Sequence, residues 1–297
     1  MNTFDNLSIK INKLFEYKNY KKKSISKGFV FKFLSRYLIG LLILTKVYEK
    51  LINSGFILGW FYEFREYWTD VLKGRPIYFH DFNFLLGVYR QRFQKVHTPN
   101  NADIKDFLFS WQNEHTIYQL FGAVRRFSYE PLHCYKYERY IKDGDKILEY
   151  GCGIAPITYS LIDYSLKRKL EFNILDIRQI NSHYAKWRLG NKAKFIEAVP
   201  YENPLINHEN SFNIIFLITV LEHLPDPLNV IKNIHSSLKS KGHLLFDFIL
   251  SDGEGQDTKE AIDQRKRVLE FIEKNFNLID GNLSVNESIE FCVVQKK

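Results

Sequence analysis

Across residues 29–93, apolar side chains recur at helical spacing, with Gly40, Gly55 and Gly59 as expected breaks. Phe82, Leu85, Leu86 and Tyr89 fall on one face of a helix expected over 80–94, after a turn at Gly74-Arg75-Pro76. Thr98-Pro99-Asn100-Asn101 reads as a loop, and Asn101 or Asp103 would cap a helix through Gln112. Further helices are expected over 114–126 and 131–140, then a tight turn at Lys142-Asp143-Gly144-Asp145. At Lys146 the texture changes to short apolar runs alternating with helical segments. Strands are expected over 146–149, 170–175, 194–198, 211–217, 242–250, 276–280 and 288–295. Helices are expected over 156–169, 181–189, 227–238 and 257–275. This alternation predicts an α/β fold: a seven-stranded, mostly parallel sheet with helices on both faces, preceded by an N-terminal α-helical region. The expected division is a helical region with a basic arm over 1–102, and an α/β domain with its cap helices over 103–297.

Charge sharpens the division. The chain carries a formal +8. Residues 1–50 hold eleven Lys/Arg against three Asp/Glu, so the whole excess lies there, and residues 51–297 balance to zero. A neutral α/β half does not demand a polyanionic substrate, and nothing base-reading is visible, so nucleic acid is not the expected partner. Residues 8–62 instead place lysines beside aromatic, amphipathic helices, a pattern that suits peripheral contact with a membrane surface as well as a solvated tail on a buried helical domain. Lys32, Arg36, Lys46, Glu49 and Lys50 interrupt the apolar run over 29–62, which is therefore expected as a buried or interfacial helix and not as a membrane span. Cys134, Cys152 and Cys292 are scattered and form no CxxC pair, which points to a reducing compartment and to no metal site. No cleavable leader is recognisable, and the expected location is the cytoplasm.

The chemistry is carried by the first strand and the loop after it. Lys146-Ile147-Leu148-Glu149-Tyr150-Gly151-Cys152-Gly153-Ile154-Ala155 is a strand running into Gly-x-Gly, where the chain must turn sharply and let a ligand approach its backbone. Pro156 stands where a dinucleotide fingerprint would want a third glycine, which disfavours a dehydrogenase. Asp176 closes the second strand twenty-five residues after Gly151, a position from which a carboxylate accepts hydrogen bonds from ribose hydroxyls.

With Ser211-Phe212-Asn213-Ile214-Ile215, Thr219-Val220-Leu221-Glu222-His223-Leu224-Pro225 and Lys241-Gly242-His243-Leu244, these blocks resemble the class I, Rossmann-like S-adenosylmethionine-dependent methyltransferases, over roughly residues 146–248. Ala155 stands at the family's third glycine, and Asn213 where an aspartate is usual. The resemblance implies S-adenosylmethionine as cofactor. It implies that Glu149, Gly151 and Gly153 hold its methionine end, Asp176 its ribose, and Ile177, Ala198 and Leu217 the rest of the cleft. Glu197 is a further candidate on the adenine side. His223 and Glu222 are the candidate proton acceptors, each also readable as a residue that orients its loop. Little else is required, since the cofactor's methyl is already electrophilic and the protein must align and dehydrate the reactants. The post-strand loop resembles the small-molecule branch, which implies transfer to oxygen on a small molecule or a glycan or lipid-linked intermediate. Methylation of RNA or protein, and a scaffold that binds cofactor without catalysis, are the competing readings. Arg125, Arg126, Tyr129, His133 and Tyr135 are candidates to line the acceptor pocket.

Overall fold

The structure is a computed structural model, and it describes residues 11–16, 27–96, 111, 116–199, 201–250 and 257–297. The expected loop at 98–101 and most of the helix expected to run to Gln112 lie outside the described residues.

The strands are β1 (Lys146–Tyr150), β2 (Glu171–Asp176), β3 (Ala193–Glu197), β4 (Phe212–Leu217), β5 (Leu238–Phe248), β6 (Phe276–Gly281) and β7 (Ile289–Lys296). They form one sheet in the order β3-β2-β1-β4-β5-β7-β6. All pairings are parallel except those of β7, which runs antiparallel to both β5 and β6. β1 pairs with β2 on one side and β4 on the other, so the strand order reverses beside it. In such sheets the crevice for a ligand opens above the carboxyl ends of the strands at that reversal. The strand is buried from Ile147 to Tyr150, as a central strand covered on both faces must be.

The helices are α1 (Ile11–Glu16), α2 (Phe29–Leu44), α3 (Val47–Asn53), α4 (Gly59–Glu66), α5 (Phe79–Val96), α6 (Ile117–Ser128), α7 (Pro156–Tyr164), α8 (Ile180–Leu189), α9 (Pro227–Ser237) and α10 (Lys259–Asn275). A π-helical turn, Tyr67–Val71, extends α4. Local chemistry sets several starts. Asp226 caps α9 by accepting from Asn229 N at 3.3 Å, with Pro227 in the first turn. Thr258 caps α10 by accepting from Ala261 N at 3.1 Å.

Helices α9 and α10 bury Ile231, Ile234, Val268 and Leu269 against one face of the sheet, and α7 buries Ile157 and Leu161 against the other. A further apolar cluster joins Phe61, Phe64, Trp68, Phe82 and Phe121 of the N-terminal helices to Tyr184 and Trp187 of α8. It crosses the boundary expected at residue 102. Within it the buried pair Arg188–Glu63 closes at 2.7 Å, and the Arg188 guanidinium stacks 3.2 Å from the Tyr159 ring centroid.

Three expectations need correction. Gly40 does not break α2: the helix runs through it, and a Cβ there would meet Leu132 at an ordinary 3.9 Å. The break comes at Lys46, which adopts the left-handed conformation. The segment from Pro131 is no α-helix: it holds two short 3-10 turns, His133–Lys136 and Glu138–Tyr140. Tertiary contacts claim it, since Pro131 O accepts from Ser160 Oγ at 2.9 Å and Glu138 accepts from Ser165 Oγ at 2.8 Å. α7 ends at Tyr164, short of the expected 169, and its terminus is marked by Ser165 in an extended conformation.

Candidate functional site

A cleft of about 1470 Å³ opens above the carboxyl ends of β1, β2 and β4, roofed by residues of α5, α6 and the segment around Glu130. Gly151 leaves β1 with φ of 64°, and a Cβ there would collide with Val220 Cγ2, so only glycine fits. Gly153 has φ of 51°, and a Cβ built on it would meet only open space. The loop thus presents bare backbone to the cleft. Ala155 also sits in the left-handed region, at φ of 53°, while fully buried. A glycine at this position would adopt the same conformation without the Cβ penalty.

Two carboxylates brace the loop from below. Glu149 accepts from Ile157 N at 3.2 Å and Thr158 N at 2.8 Å, which caps α7 from β1 because Ala155 offers no capping side chain. Asp176 accepts from Gly153 N at 2.7 Å, Ile177 N at 2.8 Å and Gln179 Nε2 at 2.9 Å. Burial raises both acids, Glu149 to about 7 and Asp176 to about 6, against the opposing pull of these hydrogen bonds. Beside Asp176, the amide oxygens Gln179 Oε1 and Asn181 Oδ1 are buried without a hydrogen-bond partner, and both residues line the cleft.

The other wall is the segment after β4. Thr219 adopts φ of 57°, costly for a β-branched residue, and its N–H donates to Asp247 Oδ1 at 2.5 Å. Asp247 is raised to about 6 by burial. Glu222 is 3% exposed and its Oε2 has no hydrogen-bond partner. Burial, helped by the charges of Asp247 and Asp257 and opposed by Arg265, raises it to about 8. His223 lies at the mouth, with Nδ1 3.7 Å from Asp257 Oδ1, Nε2 3.9 Å from Glu222 Oε1 and the Trp111 ring 6.0 Å away.

Of the residues singled out in the sequence, Glu149, Gly151, Gly153, Asp176, Ile177, Ala198, Glu222 and His223 all line this cleft. Leu217 does not: its side chain is fully buried in the core under the sheet, and Ile218, Thr219 and Val220 take the lining position. Glu197 is held outside by Arg178 at 2.7 Å. Arg126 and His133 line the cleft. Arg125 and Tyr129 both bond Asn53 Oδ1 at 2.7 Å, and Tyr135 is exposed under the Arg36 guanidinium. Asn213 anchors the sheet, its Oδ1 accepting from Lys146 N and Lys239 Nζ at 3.0 Å each. Sequence reasoning missed Gln179, Thr219 and Asp247. The available signal was Asp247 itself, a lone carboxylate inside the apolar run Leu244-Leu245-Phe246-Asp247-Phe248.

Among the described residues, nine carboxylate side chains line the cleft against three permanently cationic ones, Arg90, Arg126 and Lys136. The cavity is therefore acidic in a protein whose overall charge is positive.

A family described as "Methyltransferase domain" matches residues 88–278. The tRNA U34 carboxymethyltransferase of Aliarcobacter butzleri is 28% identical over 120 residues, 39% of this chain and 38% of that relative. The ubiquinone biosynthesis O-methyltransferase of Vibrio campbellii is 25% identical over 104 residues, 35% of this chain and 43% of that relative. The chain thus spans well under half the length of the curated relatives it matches. Among solved structures, the 1,6-didemethyltoxoflavin-N1-methyltransferase of Burkholderia thailandensis aligns with a TM-score of 0.43 at 15% identity, over 67% of this chain and 94% of that one.

Proposed function

The chain belongs to the methyltransferase-domain family and is an S-adenosylmethionine-dependent methyltransferase, and from that premise we propose that it methylates a hydroxyl of a small molecule or of a glycan or lipid-linked intermediate, with Glu222 as the proton acceptor. The observation that carries the reading is Glu222 Oε2, buried in the cleft wall without a partner.

The residues present suit the cofactor. Gly151 and Gly153 leave backbone bare where its methionine end would lie, and the open space over Gly153 gives it room. Asp176 would receive the ribose hydroxyls on lone pairs left over from its three present bonds, with the unpartnered Gln179 and Asn181 oxygens beside it. Ile177 and Ala198 would flank the adenine. Glu149 holds the loop by capping α7 and reaches the cofactor through that loop. Bound there, S-adenosylmethionine supplies a methyl group activated by a sulfonium. A positive sulfonium suits a cavity rich in carboxylates.

The protein's share of the reaction is alignment, exclusion of water and removal of one proton. A hydroxyl acceptor must lose its proton as its oxygen takes the methyl. Glu222, raised to about 8, is mostly protonated near neutral pH, so its ionised fraction is the acceptor and transfer should rise as pH climbs toward 8. His223, at the mouth beside Glu222 and Asp257, would pass that proton outward. On the roof, Arg90, Arg126 and Lys136 would hold an anionic group of the acceptor. An excess of carboxylates disfavours a nucleic-acid strand in this cleft, although relatives named for tRNA are among those that match.

Calorimetry with S-adenosylmethionine tests the cofactor assignment. Loss of the Asp176 carboxylate in Asp176→Ala removes charge-assisted bonds worth about 1.5–3 kcal/mol, a weakening of roughly ten- to hundredfold. Unchanged binding by Asp176→Ala, or by Gly151→Arg, refutes it.

A further inference from the structure

Helix α2 is amphipathic in the wrong sense for a helix on a protein surface. Its only charged residues, Lys32 and Arg36, turn toward the protein. Arg36 pairs with Glu138 at 2.5 Å, and Lys27 just before the helix pairs with Asp163 at 2.6 Å. Gly40 faces Leu132 on the same inner side. The outer side is Val30, Leu34, Tyr37, Leu38, Leu41 and Leu44, spaced three and four apart along one stripe. Val30 is 68% exposed and Leu44 81% exposed, and no residue of the helix is buried. Water is a poor neighbour for such a stripe, and contiguous exposed apolar surface marks an interaction site.

We propose that the outer face of α2 lies in the headgroup–acyl boundary of a lipid bilayer with anionic headgroups, as a monotopic contact. Charge decides among the occupants. Residues 1–50 carry the chain's entire net charge of +8, and Lys18, Lys21, Lys22 and Lys23 lie just before the helix in sequence. Lys46 and Lys50, just past its end, are exposed. An anionic surface complements all of these, at about 1 kcal/mol per basic residue held near it. A second copy of the chain seated on the same face would bring two segments of +8 together. The chain's own residues 17–26 are too rich in lysine to cover an apolar stripe. Spanning is not the mode, since among the described residues no helix is long and apolar enough to cross a membrane. The helix instead lies along α7, and its C-terminal end approaches Tyr129, next to Glu130 at the rim of the cleft. A bilayer under α2 leaves the cleft beside its surface, within reach of acceptors carried there.

Flotation of the full-length chain with vesicles tests this. Vesicles of phosphatidylcholine with roughly a third phosphatidylglycerol should carry the protein. Pure phosphatidylcholine should carry it at least tenfold less, and high salt should weaken the anionic binding by a similar factor. The double variant Leu34→Ser/Leu41→Ser should lose at least tenfold in vesicle affinity while binding S-adenosylmethionine with unchanged affinity, which shows that it is folded. Lys46→Glu/Lys50→Glu should weaken binding to the anionic vesicles alone. Failure of the wild type to float with either composition overturns the proposal. So does equal flotation by the apolar double variant, or a solution dimer that this variant dissociates.

Discussion

Glu222→Gln separates the stability of this protein from its chemistry. A glutamine keeps the shape and removes the charge. In the unfolded chain the carboxyl ionises at its ordinary value of 4.5, whereas in the fold burial raises it to about 8. A group raised on folding stabilises the folded state fully below the unfolded value and loses that contribution as pH rises toward the folded one. At pH 7 the native protein must keep a proton that the unfolded chain has released. At about 1.36 kcal/mol per pH unit, the interval from 4.5 to 7 amounts to about 3 kcal/mol of destabilisation. Glu222→Gln should therefore raise stability by about 2–3 kcal/mol at pH 7, rather more at pH 8, and by almost nothing at pH 4. Urea denaturation at these three pH values, on wild type and variant, gives the differences directly, with Tm moving by about 2–4 °C per kcal/mol for a domain of this size. The same variant should lose methyl transfer to a hydroxyl acceptor at least a hundredfold while retaining cofactor affinity. A stability gain independent of pH, or no gain at pH 8, would refute the burial argument. Full activity in the variant would refute the proton acceptor.

Other outcomes follow from the same geometry. Ala155→Gly relieves a left-handed alanine and should stabilise the fold by about 1 kcal/mol, offset in part by the greater freedom of the unfolded chain; denaturant melts that show a loss would mean the Ala155 methyl packs better than its backbone is strained. His183 donates from Nε2 to Leu14 O at 3.0 Å, so its Nδ1 accepts from Tyr67 O–H at 2.8 Å, and burial depresses it to about 4. Its contribution is present above the unfolded value near 6.5 and is lost as pH falls toward 4, about 3 kcal/mol in all. The stability difference between wild type and His183→Gln should therefore narrow over that window, and a constant difference would sink the assignment.

The sheet was legible because its strands are apolar runs bounded by turns, and because a central parallel strand such as β1 needs little context to declare itself. The glycine wall of the cleft was legible for a related reason: Gly151 is dictated by φ and by Val220, so the constraint is written in the residue itself. The features that could not be read were set by distant partners. Asp247 looks like an intruder in an apolar strand until Thr219 N is seen to need it. Leu217 and Ile218 are adjacent apolar residues, and only the pleat decides which faces the cleft. Pro131 opens a helix-like segment that Ser160 and Ser165 draw apart. The periodicity of α2 shows a helix, but not which side of it meets the protein; that was fixed by Glu138 and Asp163, a hundred residues and more downstream.

The cluster that ties the N-terminal helices to α8 makes those helices part of the cleft's foundation. Asp176 ends β2, Gln179 stands just before the first turn of α8, and α8 buries Tyr184 and Trp187 against Tyr67. His183 and Arg188 fasten the same helix to Tyr67 and Glu63. The Asp176 end of the cleft therefore has its footing in residues that precede the sheet in the chain. Taking α4 and its π-helical turn away would uncover Tyr184 and Trp187 and cut both fastenings of α8, so the loss would reach Asp176 without touching a residue of the cleft.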